Sequence, residues 1–314
     1  MQNRAWFCSP VTFLRWLGLG IFLFSYLNAC KKSSPPAVIP VTPLQTLVNT
    51  DTTLSFYHRL ILQANEAGLL ADDSVTLLIP TNAAFRAAGY TADNIDSLGA
   101  SVADRLLLYH CITAGGIVPD SSGYKAYPTL AGFSVYGRKD STARWLFNTV
   151  PTTGSGSPVG KALVYRMTNL LNAPADSLEP LLGGDSTLSF CAELFLRTGM
   201  DSILTLGGNY TVLAPTNNAF IAAGFDSVQA IDSADLTTMT ALAKNHVLTD
   251  FYFTDILRGL STVTTLQGNS LTVHVSNGVL QFTGSDPTPA NLTDGNRTAG
   301  NTIVVHRIDK VLSP

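Results

Sequence analysis

Histidine and cysteine are the side chains of this 314-residue chain best suited to metal binding or nucleophilic chemistry, and their spacing argues against both. His58, His110, His246, His274 and His306 stand far apart, with no His-x-x-x-His pair, and no Cys-x-x-Cys brings two thiols together. A zinc site therefore has no footing in the sequence. No Gly-x-Ser-x-Gly elbow or phosphate-binding Walker loop occurs, and Gly154-Ser-Gly-Ser157 reads as a turn-rich loop. Paired carboxylates such as Asp72-Asp73 sit beside turn residues and read as capping or solvated groups. The expectation is a protein that is not an enzyme, with no catalytic set, no cofactor and no metal. Cys111 and Cys191, one in each half, read as small buried thiols rather than as a bridge.

Cys30 differs because of its neighbours. Arg4 and Arg15 precede an apolar stretch over 16–26, too short for the roughly 20 residues that span a bilayer. That pattern resembles a signal peptide. Leu27-Asn28-Ala29-Cys30 then resembles a bacterial lipobox, with Asn28 where a smaller residue is usual. The resemblance implies a leader over 1–29, cleavage before Cys30 and a diacylglycerol on its thiol. Lys31-Lys32-Ser-Ser-Pro-Pro follows as part of a polar, proline-stiffened tether over 30–43. The expected location is the exported side of a cell envelope, with the membrane held through the N-terminal lipid. Lys31, in place of the Asp that signals inner-membrane retention, points to the outer membrane.

The elements behind this anchor occur twice. Residues 53–56 recur at 187–190, residues 77–90 at 212–225, and residues 107–112 at 243–248, with offsets of 134, 135 and 136 residues. A period this long means duplicated domains, expected over 44–174 and 175–314, rather than a solenoid. In each copy a short apolar strand ends at a proline, Pro80 or Pro215, which cannot donate to a ladder. Thr81 or Thr216 then caps a short helix that turns Phe85 or Phe220 inward, and Gly89 or Gly224 closes it. Helical periodicity also runs over 54–68 and 188–199, and again over 104–112 and 236–248, where each segment delivers its His near the end. Alternating strands follow at 266–275 and 278–283, and at 130–136 and 144–148 in the first copy. Helices first and strands afterwards argue for an α+β class.

These residues together resemble the fasciclin family. The first family signature matches the Pro-Thr-Asn-x-x-Phe segments Pro80, Thr81, Asn82, Phe85 and Pro215, Thr216, Asn217, Phe220. The second is the pair Tyr109-His110, with His246 in the other copy, and the third is a closing segment over 303–314 that contains His306. The resemblance covers about 44–314 and implies two tandem fasciclin-like domains, each a seven-stranded β-sandwich or wedge with several packed helices. Two positions depart from the pattern: Asn245 replaces the signature Tyr, and Tyr165 occupies the closing His position of the first copy. His110 and His246 read as core imidazoles bonded to nearby backbone.

Net charge is −3, charged residues make up 13% against the usual quarter or so, and no Lys/Arg run is present. Nucleic acid is thereby excluded as a partner. The function expected is an adhesion or scaffolding lipoprotein that binds a protein or polysaccharide. A carrier of a small apolar ligand and an accessory of glycan uptake are the alternatives. The Pro/Gly/Thr-rich segments 150–160 and 284–300, before the two closing strands, are expected to be exposed, partner-specific surface. Asp followed by Ser or Thr recurs, as at Asp51, Asp140 and Asp185, and reads as caps and turns. The same triplet resembles a bacterial O-glycosylation acceptor pattern.

Overall fold

A computed structural model describes residues 41–71, 75–113 and 123–314. The expected leader, Cys30 and residues 30–40 of the tether lie outside the described residues, as do Asp72 and Asp73. The first half runs α1 (Pro43–Thr50), α2 (Ser55–Gln63), β1 (Thr76–Pro80), α3 (Asn82–Ala87), α4 (Ala92–Asp96), α5 (Ala100–Tyr109) and β2 (Cys111–Ile112). Strands follow: β3 (Lys125–Pro128), β4 (Ser134–Lys139), β5 (Trp145–Phe147), β6 (Val150–Pro151), β7 (Ser157–Val159) and β8 (Ala162–Met167).

The second half repeats the plan with α6 (Leu178–Gly183), α7 (Ser189–Thr198), α8 (Met200–Thr205), β9 (Tyr210–Pro215), α9 (Asn217–Ala222), α10 (Val228–Ser233), α11 (Leu236–Asn245) and β10 (Val247–Leu248). It continues with α12 (Thr254–Leu257), β11 (Thr262–Thr264), β12 (Ser270–Ser276), β13 (Val279–Thr283), β14 (Ala290–Ala299) and β15 (Ile303–Ile308). Val41–Pro314 cluster as one compact unit.

The second half has the seven expected strands, but they form one sheet in the order β10-β9-β15-β14-β13-β12-β11. A bridge between Leu248 and Thr265 joins its two ends, so the sheet is a nearly closed barrel rather than two stacked layers. In the first half, the described strands lie in sheets β2-β1-β8-β7 and β3-β4-β5-β6. Bridges Ile112–Thr129 and Thr152–Met167 link those sheets into the same circuit. The extra strand here is β7. The single ten-residue β14 of the second half is replaced by the separate pieces β6 and β7, and β14 itself absorbs two register shifts around Asp294.

The central strands are buried on both faces, which is why they read as continuous apolar runs. Leu77 and Ile79 of β1 pack against the helices with Phe56, Leu60 and Phe85, while Leu78 turns into the barrel with Tyr109, Phe147 and Tyr165. The second half divides the same way, Val212 and Ala214 toward Phe195 and Phe220, and Leu213 toward Leu271, Phe282 and Ile308. The α+β class therefore holds, with helices covering one outer face of each barrel.

Several expected elements shift. The segments 104–112 and 236–248 are not helical to their ends: each helix stops at residue 109 or 245, and a two-residue strand pairs antiparallel with β1 or β9. The competing force is completion of the sheet, which periodicity within one segment does not reveal. Residues 130–133 and 266–269 are turns rather than strand, and residues 64–66 break the expected 54–68 helix at Asn65, whose φ is +57°. Most importantly, 284–300 is not an exposed insertion, because 290–299 is strand β14 in the middle of the barrel. Its Thr, Asn and Gly content disguised a strand with bulges. The 150–160 segment likewise contributes β6 and β7.

Candidate functional site: the signature residues and the groove beside them

Each signature asparagine ties two helices together. Thr81 accepts from Ala84 N at 3.3 Å as the N-cap of α3, and Thr216 does the same for α9 from Ala219 N at 3.3 Å. Asn82 Oδ1 accepts from Phe56 N at 2.9 Å, while its Nδ2 donates to Thr52 O at 2.9 Å and Ser55 Oγ at 3.0 Å. Asn217 repeats the set with Phe190 N at 3.0 Å, Ser186 O at 2.9 Å and Ser189 Oγ at 3.0 Å. No other side chain of this size offers one acceptor and two donors in that geometry. Pro80 and Pro215 end their strands as expected, and Phe85 and Phe220 are fully buried.

The histidines are bolts of a second kind. His110 Nδ1 lies 2.8 Å from Leu106 O, and its Nε2 accepts from Leu171 N at 3.0 Å. His246 copies this with Leu242 O at 2.8 Å and Leu312 N at 2.9 Å. A carbonyl on one nitrogen and an N–H on the other fix the neutral Nδ1–H tautomer. His306 takes the opposite tautomer, its Nε2–H donating to Tyr252 O at 2.8 Å and its Nδ1 accepting from Asn296 N at 3.2 Å. Burial holds all three well below the usual imidazole value, at about 4. Both nitrogens of each ring are committed to backbone, so none of the three is free to act as a base.

The two departures are repaired locally. Tyr109 donates to Ser134 O at 3.2 Å and accepts from Asn148 Nδ2 at 2.7 Å. At the equivalent place, Asn245 donates to Leu312 O at 2.9 Å and Ser313 O at 3.1 Å and accepts from Asn269 at 2.9 Å. The parallel registers Leu78–Tyr165 and Leu213–His306 place Tyr165 where His306 sits. In the first barrel Tyr165 packs edge-on against Trp145 and Phe147, with centroids at 6.2 and 5.7 Å, instead of bonding the backbone. Cys111 and Cys191 are buried free thiols, and burial pushes Cys111 up to about 12 and Cys191 further. Among the described residues no group of three His, Cys, Asp or Glu could hold a metal.

The signature residues thus do not converge on one site. Thr216 and Asn217 do reach the surface, where Ser186, Asn218, Thr293, Arg307 and Asp309 complete a polar groove of about 540 Å³. The Asp309 carboxylate is held by Asn291 N and Nδ2, both at 2.7 Å. Arg307 donates to Thr293 Oγ1 at 3.2 Å and lies 3.8 Å from Asp185. Asp185 accepts from both the hydroxyl and the N–H of Thr187, and these two, then Arg297, keep its carboxyl below the usual range. Asp51 and Asp140 make the same turn with Thr53 and Thr142. Asn218 is exposed, and its side chain makes no hydrogen bond within the described protein. A surface of hydroxyls, amides and one guanidinium suits hydrogen bonding to polar partners. Sequence reading missed Ser186, Asn218, Thr293, Arg307 and Asp309, although Arg307 and Asp309 lie inside the closing signature.

The two halves also touch. Arg138 Nε donates to Asp255 Oδ2 at 2.8 Å, Tyr124 donates to the same oxygen at 2.9 Å, and the guanidinium lies 5.4 Å over the Tyr124 ring. Phe251 and Phe253 pack on Tyr136 and Tyr124 with centroids at 4.4 and 4.7 Å. Ser134 N donates to Asn301 Oδ1 at 2.7 Å.

Residues 186–314 match the family model of the fasciclin domain. The chain is similar to the transforming growth factor-beta-induced protein ig-h3 of Sus scrofa, 25% identical over 292 residues. That match covers 89% of this chain, and the chain spans 40% of the length of that relative. A solved structure of a FAS1 domain pair from the insect cell adhesion molecule fasciclin I aligns at 15% identity with a TM-score of 0.42, covering 83% of this chain and 96% of that one.

Proposed function

We propose that this chain is an envelope-anchored lipoprotein of two tandem fasciclin-like domains, 44–174 and 175–314, which binds a protein or polysaccharide partner without chemical turnover. In this reading the leader is removed before Cys30, the lipid on Cys30 holds the protein at the outer membrane, and the tether lifts the domains from the surface. The observation that carries the binding role is the polar groove at Asn217. It lies within the matched fasciclin segment and offers the exposed Asn218 amide and Ser186 hydroxyl, both left unpaired by the fold. The cleft beside α7, at about 140 Å³, falls short of the roughly 300 Å³ or more of a drug-sized ligand site.

The test is direct binding of the purified protein to isolated envelope polysaccharides and envelope proteins, repeated with Asn218→Ala combined with Ser186→Ala. Wild type should bind a component that the double variant releases while keeping its circular dichroism. Equal binding by both would move the site elsewhere, and no binding by wild type would overturn the adhesion reading. Fractionation of Cys30→Ser checks the anchor: it should leave the membrane fraction or accumulate as precursor.

A further inference from the structure

We infer that the cleft between α6, α7 and α8 is a docking site for a basic segment of a partner protein, one that inserts a single apolar side chain flanked by Lys or Arg. The cleft shares no lining residue with the groove at Asn217, although Ser189 on its wall accepts from Asn217 Nδ2 at 3.0 Å. Its floor is Leu182 and the buried Phe195, its wall includes Leu196, which is 60% exposed, and its rim carries Glu179, Glu193 and Asp201. At about 140 Å³ it has room for one side chain but not for a lipid or pigment.

All three rim carboxylates are without a hydrogen bond or ion pair in the described protein. Glu179 and Asp201 sit in first turns, where helix N–H groups offset part of their charge. Glu193 lies within α7 and has no such relief. Arg197, one turn further on, is drawn away by the carbonyls of Ile231 and Ala234.

Comparison of the two halves shows that this is no property of the shared fold. Counted at the repeat offset, with Asn65 and Gly199 both at positive φ, the rim positions are Gln45, Arg59 and Ala67 in the first half. Gln45 closes a capping box with Thr42, Arg59 pairs with Asp96, and the Thr42 hydroxyl donates to Leu70 O at 2.6 Å, drawing the turn 67–70 against α1. At these three positions only the second half carries carboxylates, and there they face an apolar cleft without a bonded partner among the described residues. A cation beside an apolar side chain is the chemistry that satisfies both.

The probe is the short acetylated peptide amide Gly-Lys-Leu-Lys-Gly, titrated into the mature protein and followed by backbone amide NMR. Shifts should localise to 178–206, weaken about fivefold to tenfold in Glu179→Gln/Glu193→Gln/Asp201→Asn, and weaken as salt rises from about 0.1 to about 1 M, where the Debye length falls from about 10 to about 3 Å. The same peptide with Gln or Glu in place of Lys should bind less. Equal binding by the Gln peptide, an unchanged triple variant or shifts elsewhere would each overturn the assignment. Neutralising rim charges that make no bond should leave the fold intact, which circular dichroism checks.

Discussion

Acid should unfold this protein through its buried imidazoles, in a pH range set by His110, His246 and His306. Each ring is fully buried, and burial lowers its folded-state value from 6.5 to about 4. The unfolded chain therefore binds more protons than the folded one across that interval. Stability is present in full above pH 6.5 and is lost as pH falls toward about 4. At 1.36 kcal/mol per pH unit, each ring can forfeit at most about 3 kcal/mol, and His246 with His306 about 6 kcal/mol in the second half, a large share of a domain's stability. Carboxylates such as Asp51, lowered to about 2 chiefly by the Thr53 hydroxyl and then by Arg166, lose their contribution only below about pH 3.8 and stay out of the window. The perturbation is His246→Phe, measured by urea unfolding with far-UV circular dichroism. At pH 7.5 it should cost about 2–5 kcal/mol, because Leu242 O and Leu312 N lose their partner in the interior. Between pH 6.5 and 4.5 the variant should then lose less stability than wild type. A wild type with flat stability over that interval, or a variant whose pH slope matches it, would refute the reasoning.

Asn82→Ala and Asn217→Ala should each destabilise by about 1–3 kcal/mol in urea titrations, since each removes three bonds between a helix start and the preceding turn. Asn218→Ala, one position on and exposed, should stay within about 0.5 kcal/mol. Iodoacetamide should leave Cys111 and Cys191 unmodified in the native protein and alkylate both in urea, as read by intact mass, because burial suppresses the thiolate. Asp255→Ala should cost about 1.5–3 kcal/mol, because it strands Arg138 and the Tyr124 hydroxyl between the halves. It should also speed proteolytic cleavage between the halves, near Pro174, and an unchanged digestion pattern would count against a coupled pair.

Local chemistry was readable in the sequence, and closure over distance was not. The strand, proline, cap and phenylalanine of 76–85 and 211–220 all act within one short segment, so residue type alone predicts them. His110 and His246 were legible as core groups because an imidazole at the end of an apolar helix needs backbone partners nearby, and one is four residues away. Their second partners, Leu171 and Leu312, lie more than sixty residues along the chain and left no trace. Strand β14 was hidden because Asn, Asp and Gly are poor strand formers, and only its neighbours β13 and β15 make a bulged strand of them. Arg138 and Asp255, 117 residues apart, carry no pattern that pairs them.

The closed circuit of strands bears on how a partner can be held. A sheet with an open rim can capture an extended peptide as an additional strand, through main-chain bonds that care little for sequence. Here the rims are joined by the bridges at Leu248–Thr265 and Ile112–Thr129. The short β7 does flank the circuit, but it carries Pro158, which has no N–H to give. On the binding role proposed above, a partner of the described residues would be gripped by side chains and loops, so its specificity could be rewritten by single surface substitutions without touching the barrel.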